Sequence, residues 1–251
     1  MKCFILYCQP MDCVKSIIVK VIPSKIANEF VKKHHYSWKV VSNSQLHFGC
    51  FYQGALHGVL SYWPSMDKSK VIWLVEWTKR NEFIELNRMA FDDILPRNSE
   101  SRCIAITIRM IKKNAPQIKR ILSFADGCQC WDWTIYRASG FELSGINKNK
   151  TIIEMPDGST IANINLNLQL KTVKDRYDKM CGLDPNKSHT ANDYIKGGAK
   201  QLEGFMLRYI KLLKPGLKRN YKILSFDEID KANAGMYKGE RIKREERHIQ
   251  K

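Results

Sequence analysis

The spacing of apolar residues along the chain predicts a succession of strands and helices. Stretches with an apolar residue at every second position, or with a run of Val, Ile and Leu, are typical of β-strands. Strands are predicted at residues 14–23, 46–52, 56–63, 83–91, 118–125, 141–146 and 205–213. Gly54 is expected to form the turn of a hairpin, and Asp157 with Gly158 the turn of another within residues 152–161.

Helical spacing appears in fewer places. Ile26, Phe30 and Val31 share one face of a helix that follows Ser24, a candidate cap, and ends near residues 34–37. Residues 103–111 fit both periods; we favour a helix, with Ser99 as its N-cap and residues 114–116 as its end. Further helices are predicted at residues 131–139 and 173–181, and residues 67–77 stay unassigned.

This order of elements predicts an α/β fold with a mixed sheet: strand, helix, three antiparallel strands, helix, strand, helix, strand. The same layout is found in the GNAT-like acyltransferase fold. We expect a single catalytic domain over residues 14–239, with an insertion at about 147–204 and a basic C-terminal extension. The charged residues 240–251 are expected to form a mobile tail.

The charge of the chain favours a polyanionic partner. Lys and Arg number 42 against 25 Asp and Glu, a formal net charge of +17. Such an excess favours nucleic acid, since phosphate contacts release counterions; a merely soluble basic protein and a membrane surface are the alternatives. No run of 18 apolar residues is present, and residues 1–8 lack the features of a secretory signal. We therefore expect a cytoplasmic protein with no membrane partner.

The eight cysteines do not predict a zinc site. None of them forms a C-x-x-C pair, and the chain is large enough to need no disulfides. Cys128 and Cys130 could bind a metal or each other, but two reduced thiols in a loop are the simpler interpretation.

Seven short stretches, taken together, carry a family resemblance. They are residues 33–37 (KHHYS), 86–90 (LNRMA), 96–101 (PRNSES), 123–126 (SFAD), 134–141 (TIYRASGF), 207–210 (LRYI) and 235–239 (GMYKG). In this order and spacing the chain resembles the Mom family of phage DNA adenine-modification proteins.

The resemblance implies an enzyme on a GNAT-like fold whose partner is double-stranded DNA. The expected product is adenine carrying a small carbamoylmethyl or acylamino group on N6, which protects phage DNA from host restriction. The family also implies a bound iron and an acyl-CoA-type donor. Two alternatives stay open: a conventional GNAT N-acetyltransferase acting on a protein, a transfer RNA or a small amine, and a non-catalytic DNA-binding protein. A homodimer stays open beside a monomer.

Through this resemblance, the metal ligands are expected among His34, His35, Tyr36 and Asp126. Imidazole, phenolate and carboxylate suit iron, and Asp126 ends a strand at the sheet edge where α/β proteins bind ligands. Adjacent histidines point in different directions, so only one of the two is expected to be a ligand. From the residues alone, a histidine that caps the helix and a packed Tyr36 are the alternative.

Tyr36 and Asp126 are also expected to be catalytic, together with Tyr136 and Arg88. Tyr136 follows Asp126 on a helix where GNAT enzymes often place an acid; a core tyrosine with a satisfied hydroxyl is the alternative. Arg88 lies inside a strand, which predicts that it faces a cleft or pairs with Glu85 or Asp92.

The loop before the second predicted helix is the candidate cofactor-binding segment. Conventional GNAT loops use glycines to bring backbone N–H groups to a diphosphate, whereas this loop has none, and non-glycine residues limit positive φ. Side chains could bind phosphate instead, or Ser99 could only cap the helix. The candidates are Arg97, Asn98, Ser99 and Arg102.

Residues 195–222 are the candidate DNA-binding segment. They hold eight Lys or Arg, the single acid Glu203, and interleaved aromatic residues. The expected backbone contacts are Arg208, Lys211, Lys214, Lys218 and Arg219. Modification of N6 inside a duplex requires base flipping, for which Trp38, Trp63, Trp131 and Trp133 are candidate stacking partners.

Overall fold

A computed structural model describes residues 14–35, 40, 43–65, 68–126, 134–150, 152–163, 166, 171–232 and 234. The side chain of Asp126 is outside this description, as are Tyr36, three of the candidate tryptophans (Trp38, Trp131 and Trp133) and the C-terminal tail. The chain divides into two compact units. One comprises residues 1–124, 133–144 and 208–224, and the other residues 125–132, 145–207 and 225–251.

The described part of the chain contains ten strands and seven α-helices. The strands are β1 (Ile18–Val21), β2 (Leu46–Tyr52), β3 (Ala55–Trp63), β4 (Phe83–Phe91), β5 (Arg120–Asp126), β6 (Glu142–Lys148), β7 (Ile152–Glu154), β8 (Thr160–Ala162), β9 (Lys200–Gln201) and β10 (Phe205–Leu212). The helices are α1 (Ser24–His34), α2 (Lys68–Val71), α3 (Ser99–Asn114), α4 (Thr134–Ala138), α5 (Lys171–Met180), α6 (Ala191–Lys196) and α7 (Asp227–Lys231).

The main sheet has seven strands in the order β1-β2-β3-β4-β5-β10-β6. Strands β1 to β4 pair antiparallel with their neighbours, and β4 pairs parallel with β5. The predicted mixed α/β sheet is therefore confirmed. The parallel register ends where Leu86 meets Ser123, although β4 continues to Phe91 and β5 to Asp126.

Helices α1 and α3 each bury one apolar face. On α1, Ala27, Phe30 and Val31 pack with Val59 of β3 and Ala90 of β4. Phe30 and Val31 were predicted to share this face, but Ile26 does not belong to it, because Ile26 is 44% exposed. Helix α3 resolves the ambiguous stretch at residues 103–111 as helix. Its buried residues follow the spacing of one helix face: Cys103, Ile104, Thr107, Ile108 and Ile111.

Both predicted helix caps were wrong by one residue. The N-cap of α1 is Pro23 and that of α3 is Asn98. Asn98 adopts a left-handed φ of 68°, so the expectation that a loop without glycine avoids positive φ is also wrong here. Asparagine tolerates this region because its short polar side chain can bond locally. Ser99 is the first helical residue instead, and its hydroxyl donates to the carbonyl oxygen of Pro96.

Residues 145–207 of the second unit hold a core of their own. Strand β7 pairs with β8 and β9, and the turn of the β7–β8 hairpin contains Gly158 at a φ of 78°. Helices α5 and α6 cover this small sheet around a cluster that includes Ile153. The fully buried carboxylate of Asp178 accepts hydrogen bonds from the ammonium of Lys174 and the hydroxyl of Tyr194.

Across the described part of the chain, no helix is long and apolar enough to cross a membrane. The division into one catalytic domain with an insertion at about residues 147–204 stays a prediction.

Candidate functional site

A β-bulge in β4 lies beside the point where the two parallel strands separate. Ser61 of β3 pairs with Arg88, but the next residue, Tyr62, pairs with Leu86, so Asn87 falls between two paired positions. The hydroxyl of Ser44 donates to the side-chain oxygen of Asn87 at 2.8 Å and holds the bulge. A bulge bends its strand and redirects the following side chains. Arg88 is the first residue after it.

Ser123 is the last residue of β5 that pairs with β4, and its hydroxyl contacts the hydroxyl of Tyr136 on α4. The hydroxyl of Ser123 donates to the Leu86 carbonyl oxygen at 2.9 Å, and its oxygen is 2.6 Å from the hydroxyl of Tyr136. The Tyr136 ring stacks on Tyr209 with 4.7 Å between centroids and is 3% exposed. The structure thus holds the Tyr136 hydroxyl at the separation of the strands. This position fits both a proton donor and a satisfied core tyrosine.

The C-terminal end of α1 holds the imidazole of His35, whose pKa is affected by the positive charge of Arg88. His35 is 6% exposed, and its pKa is lowered to about 3, first by burial and then by the positive charge of Arg88. The imidazole is therefore neutral at physiological pH. Arg88 itself donates to the carbonyl oxygen of Asn87 at 2.9 Å.

Two carboxylates were considered as partners of Arg88, and the charge of Arg88 affects the pKa of one of them, Glu85. Burial raises the pKa of Glu85, while a hydrogen bond from Ser65 and the charge of Arg88 oppose that rise. Asp92 bonds instead to Nδ1 of His57 at 2.8 Å. The part-buried carboxyl of Glu85 therefore interacts electrostatically with the cation of Arg88.

A buried His–Ser pair in β2 and β3 was missed by sequence reasoning. His47 Nδ1 is 2.8 Å from the hydroxyl oxygen of Ser61, and His47 Nε2 is 3.2 Å from the Ser44 carbonyl oxygen. Both side chains are 2% exposed, and burial lowers the pKa of His47. Two polar residues at inward positions of otherwise apolar strands were the available signal. Because this pair joins Ser44, it supports the bulge at Asn87.

The candidate cofactor segment forms the N-terminus of α3. Arg97 and Asn98 are exposed, whereas Ser99 is fully buried. Arg102 donates from Nη2 to the Lys15 carbonyl oxygen at 3.3 Å, while its buried Nε has no hydrogen-bond partner among the described residues. The interpretation of Ser99 as the cap is excluded by Asn98. The first-turn N–H groups and Arg97 offer an exposed positive end to an anion.

The candidate DNA-binding cations differ in how their charges are balanced. Lys218 pairs with Glu76 at 2.9 Å. Arg219 forms a two-point pair with Glu142 at 2.6 and 2.9 Å. The remaining three have no ion pair among the described residues: Arg208 bonds to Ser144, Lys211 bonds to the Gly140 carbonyl oxygen, and Lys214 is exposed on a turn.

The expected metal ligands are described only in part. His34 stacks on Phe30 with 4.3 Å between centroids, and His35 is the buried, neutral imidazole of the pair. Within the described ranges, no three His, Cys, Asp or Glu side chains come together as a metal site would require. Tyr36 and the Asp126 side chain lie outside those ranges, so the full ligand set stays a prediction.

The fold and this site define an α/β protein whose mixed sheet opens between two parallel strands, with Tyr136, His35 and Arg88 near a bulge. The sequence matches the Mom protein family over residues 16–228, and the chain belongs to this family. The Methylcarbamoylase mom of Escherichia phage Mu is 33% identical over 153 residues, which are 61% of this chain and 63% of the relative. The match thus spans less than two thirds of that relative's length.

Three of the solved structures that show some likeness to this chain are described as acetyltransferases. An IAA acetyltransferase from Bacillus cereus (TM-score 0.41, 10% identity) covers 78% of this chain and 99% of its own. A putative phosphinothricin N-acetyltransferase (0.44, 10%) covers 79% and 99%, and a GNAT family acetyltransferase from Elizabethkingia anophelis (0.40, 12%) covers 78% and 98%. Since these scores are below 0.5, the likeness carries no argument about activity, donor or partner.

Proposed function

We propose that this protein is a DNA-modifying transferase that adds a small carbamoylmethyl or acylamino group to N6 of adenine in double-stranded DNA. Membership of the Mom family and the 33% identity to a phage methylcarbamoylase carry the proposal. Protection of phage DNA from host restriction is the role that we infer for the product, in the cytoplasm of a bacterial host.

The transfer forms a bond between N6 and a carbon of the donated group, breaks the bond from that carbon to the leaving group of the donor, and releases one proton from N6. The leaving group takes the electron pair of the broken bond; with an acyl-CoA-type donor it is the CoA thiolate. A proton acceptor close to the amine and a donor for the leaving group are therefore needed. We assign the acceptor to Asp126 and the donor to Tyr136, and we propose Tyr36 as a further catalytic residue. The hydrogen bond between Tyr136 and Ser123 supports this assignment because it fixes the phenol at the opening of the sheet. Arg88 would stabilise negative charge that develops on the donor.

We propose that an acyl-CoA-type donor binds at the N-terminus of α3. The exposed side chain of Arg97 and the left-handed turn at Asn98 precede the first helical turn, in which the Ser99 N–H already donates to the Pro96 carbonyl oxygen. Ser99 shapes this turn through its bond to Pro96, and the buried Nε of Arg102 is a further donor that no described group satisfies. Such an arrangement binds phosphate by side chains and helix end without glycine.

The described residues fit the proposed iron in one respect and oppose it in another. His35 is held neutral, the form in which imidazole ligates, whereas His34 is stacked on Phe30. The Arg88 charge that lowers the pKa of His35 also repels a cation, so the anionic oxygens of Tyr36 and Asp126 are needed to offset it. Iron held by these three residues would supply a Lewis acid to the site.

Nucleoside mass spectrometry tests the proposed function. The protein is expressed in bacteria, and the host DNA is digested to nucleosides. A deoxyadenosine heavier by the transferred group, absent from cells without the gene, is the expected result. Unmodified DNA together with acetylation of a protein, transfer RNA or small amine would contradict the proposal and favour a conventional GNAT N-acetyltransferase. Unmodified DNA with tight DNA binding alone would favour a non-catalytic DNA-binding protein.

A further inference from the structure

Two tryptophans are exposed on the segment between β3 and β4, within the first unit. Trp77 is 88% exposed and Trp73 is 53% exposed, the former more than any other large hydrophobic side chain in the described part of the chain. Large aromatic side chains are normally buried because each removes much apolar surface from water. Two exposed indoles so close in sequence are the mark of a surface that contacts a partner.

The backbone around Trp77 is held in an unfavourable conformation by other segments. Trp77 has a φ of 56°, in the left-handed region that bulky residues avoid. Its carbonyl oxygen accepts a hydrogen bond from Lys119 Nζ at 3.1 Å. Glu76 N donates to the Lys218 carbonyl oxygen at 3.0 Å, and Asn220 Nδ2 donates to the Trp73 carbonyl oxygen at 3.0 Å. The loop therefore presents its indoles on a fixed backbone.

Both tryptophans line one open groove of about 480 Å³, together with Lys79 and Asn220. The volume falls within the range of ligand sites. Its walls are mainly the apolar side chains of Ile72, Trp73, Val75 and Trp77, and Glu76 also lines it. A flat apolar group can thus lie against the indoles, with a cation at the edge.

The charges near the groove favour a polyanion. Two described acids of the loop are already paired with lysines from other segments, Glu76 with Lys218 and Glu82 with Lys119. Lys79, Arg80 and Lys222 are exposed and form no salt bridge among the described residues, although the backbone N–H of Lys79 donates to Glu82 and the Lys79 charge helps to lower the pKa of Glu82. A ligand with an aromatic ring and an attached phosphate matches this combination, and single-stranded nucleic acid has that chemistry.

We propose that the groove lined by Trp73 and Trp77 binds an unpaired nucleobase of the DNA substrate by stacking, with Lys79, Arg80 and Lys222 on the adjoining phosphates. The inference rests on the proposed function, because a transferase that acts on a base inside a duplex must flip that base out and thereby leaves the complementary base unpaired. The groove would hold such a base.

Binding measurements on two tryptophan variants test the proposal. Probes are a labelled single strand, a duplex with one bulged base and the fully paired duplex. Trp77→Ala is expected to weaken binding to the single strand and the bulged duplex roughly 5- to 150-fold, the range of one base–aromatic stack, and to change binding to the paired duplex much less. Trp77→Phe should retain most of the affinity. Ile18→Ala, which removes another exposed apolar side chain (65% exposed), is the matched control.

Equal affinities of Trp77→Ala and the parent for all three probes would overturn the proposal, as would an equal loss for all three. Circular dichroism of each variant checks that the fold is retained. DNA that is still modified by a protein whose tryptophan variants bind normally would refute the groove but not the transferase. If Trp77→Ala selectively weakens binding to the single strand and the bulged duplex, but the parent protein modifies no DNA, the result would refute the transferase but not the groove.

Discussion

The ion pairs of the basic segment predict that its cations contribute unequally to DNA binding. Lys211 donates to a neutral carbonyl oxygen and Lys214 is exposed. The charge of Lys211 also acts on Glu142, but neither lysine forms a salt bridge among the described residues, so both can neutralise a phosphate. Arg219 is held by Glu142 at two points, and that interaction keeps the pKa of Glu142 below its usual range, chiefly through the hydrogen bond. Lys218 has a single, more exposed pair with Glu76.

The expected effect follows from counterion release. Removing one cation from a DNA phosphate flattens the plot of log K against log salt by about 0.9. Lys211→Gln with Lys214→Gln should therefore reduce the slope by about 1.8. Lys218→Gln with Arg219→Gln should reduce it by clearly less, because a cation already neutralised by a carboxylate releases few counterions. Lys112→Gln with Lys113→Gln, on the last turn of α3, removes the same charge elsewhere and should leave the slope almost unchanged.

Fluorescence anisotropy of a labelled duplex, titrated at several salt concentrations, measures these slopes. Equal flattening by the first two double variants would refute the inference from the ion pairs. An unchanged slope in the Lys211 and Lys214 variant would remove this segment from the DNA-binding surface.

Three further predictions concern the site and the second unit. Asp126→Asn should abolish modification while circular dichroism and DNA affinity are retained, because the amide keeps the shape and loses the charge; full activity would exclude both proposed roles of Asp126. Anaerobically purified protein should contain about one iron per chain. A Tyr36 phenolate bound to Fe(III) would colour the protein through charge transfer, and Tyr36→Phe should lose this absorption together with activity; DNA modification by iron-free protein would contradict the metal. In urea unfolding, Asp178→Asn should cost roughly 3 kcal/mol, since it leaves the largely buried Lys174 ammonium without its carboxylate. The exposed pair of Asp184 supplies the control, for which Asp184→Asn should have a much smaller effect; similar losses in both variants would contradict a special role for the buried pair.

The main strands were predictable because their apolar alternation is strong. Strand β4 coincides with the predicted residues 83–91, and β2 with residues 46–52. The helix α6 was missed because it is short, although Thr190 and Asp193 form a capping box that could have revealed it. Residues 67–77 could not be assigned because α2 and the 3-10 turn after it are too short to show a period.

Individual residues of the site could be predicted from the sequence, but their arrangement in space could not. Tyr136 and Arg88 were identified in the sequence, but the bulge that places Arg88 depends on the register between β3 and β4, which no local pattern records. The balance of charge on Arg219 depends on Glu142, 77 residues away in the chain. Such long-range pairs form only when the sheet is assembled.

The central claim is that this chain modifies adenine in duplex DNA, and the most direct measurement is tandem mass spectrometry of nucleosides from DNA that the purified protein has treated in a host extract. We predict a deoxyadenosine that carries the added group on its base, formed by the parent protein and absent with Asp126→Asn. Unchanged deoxyadenosine in both samples, or a group attached to another nucleoside, would contradict the account.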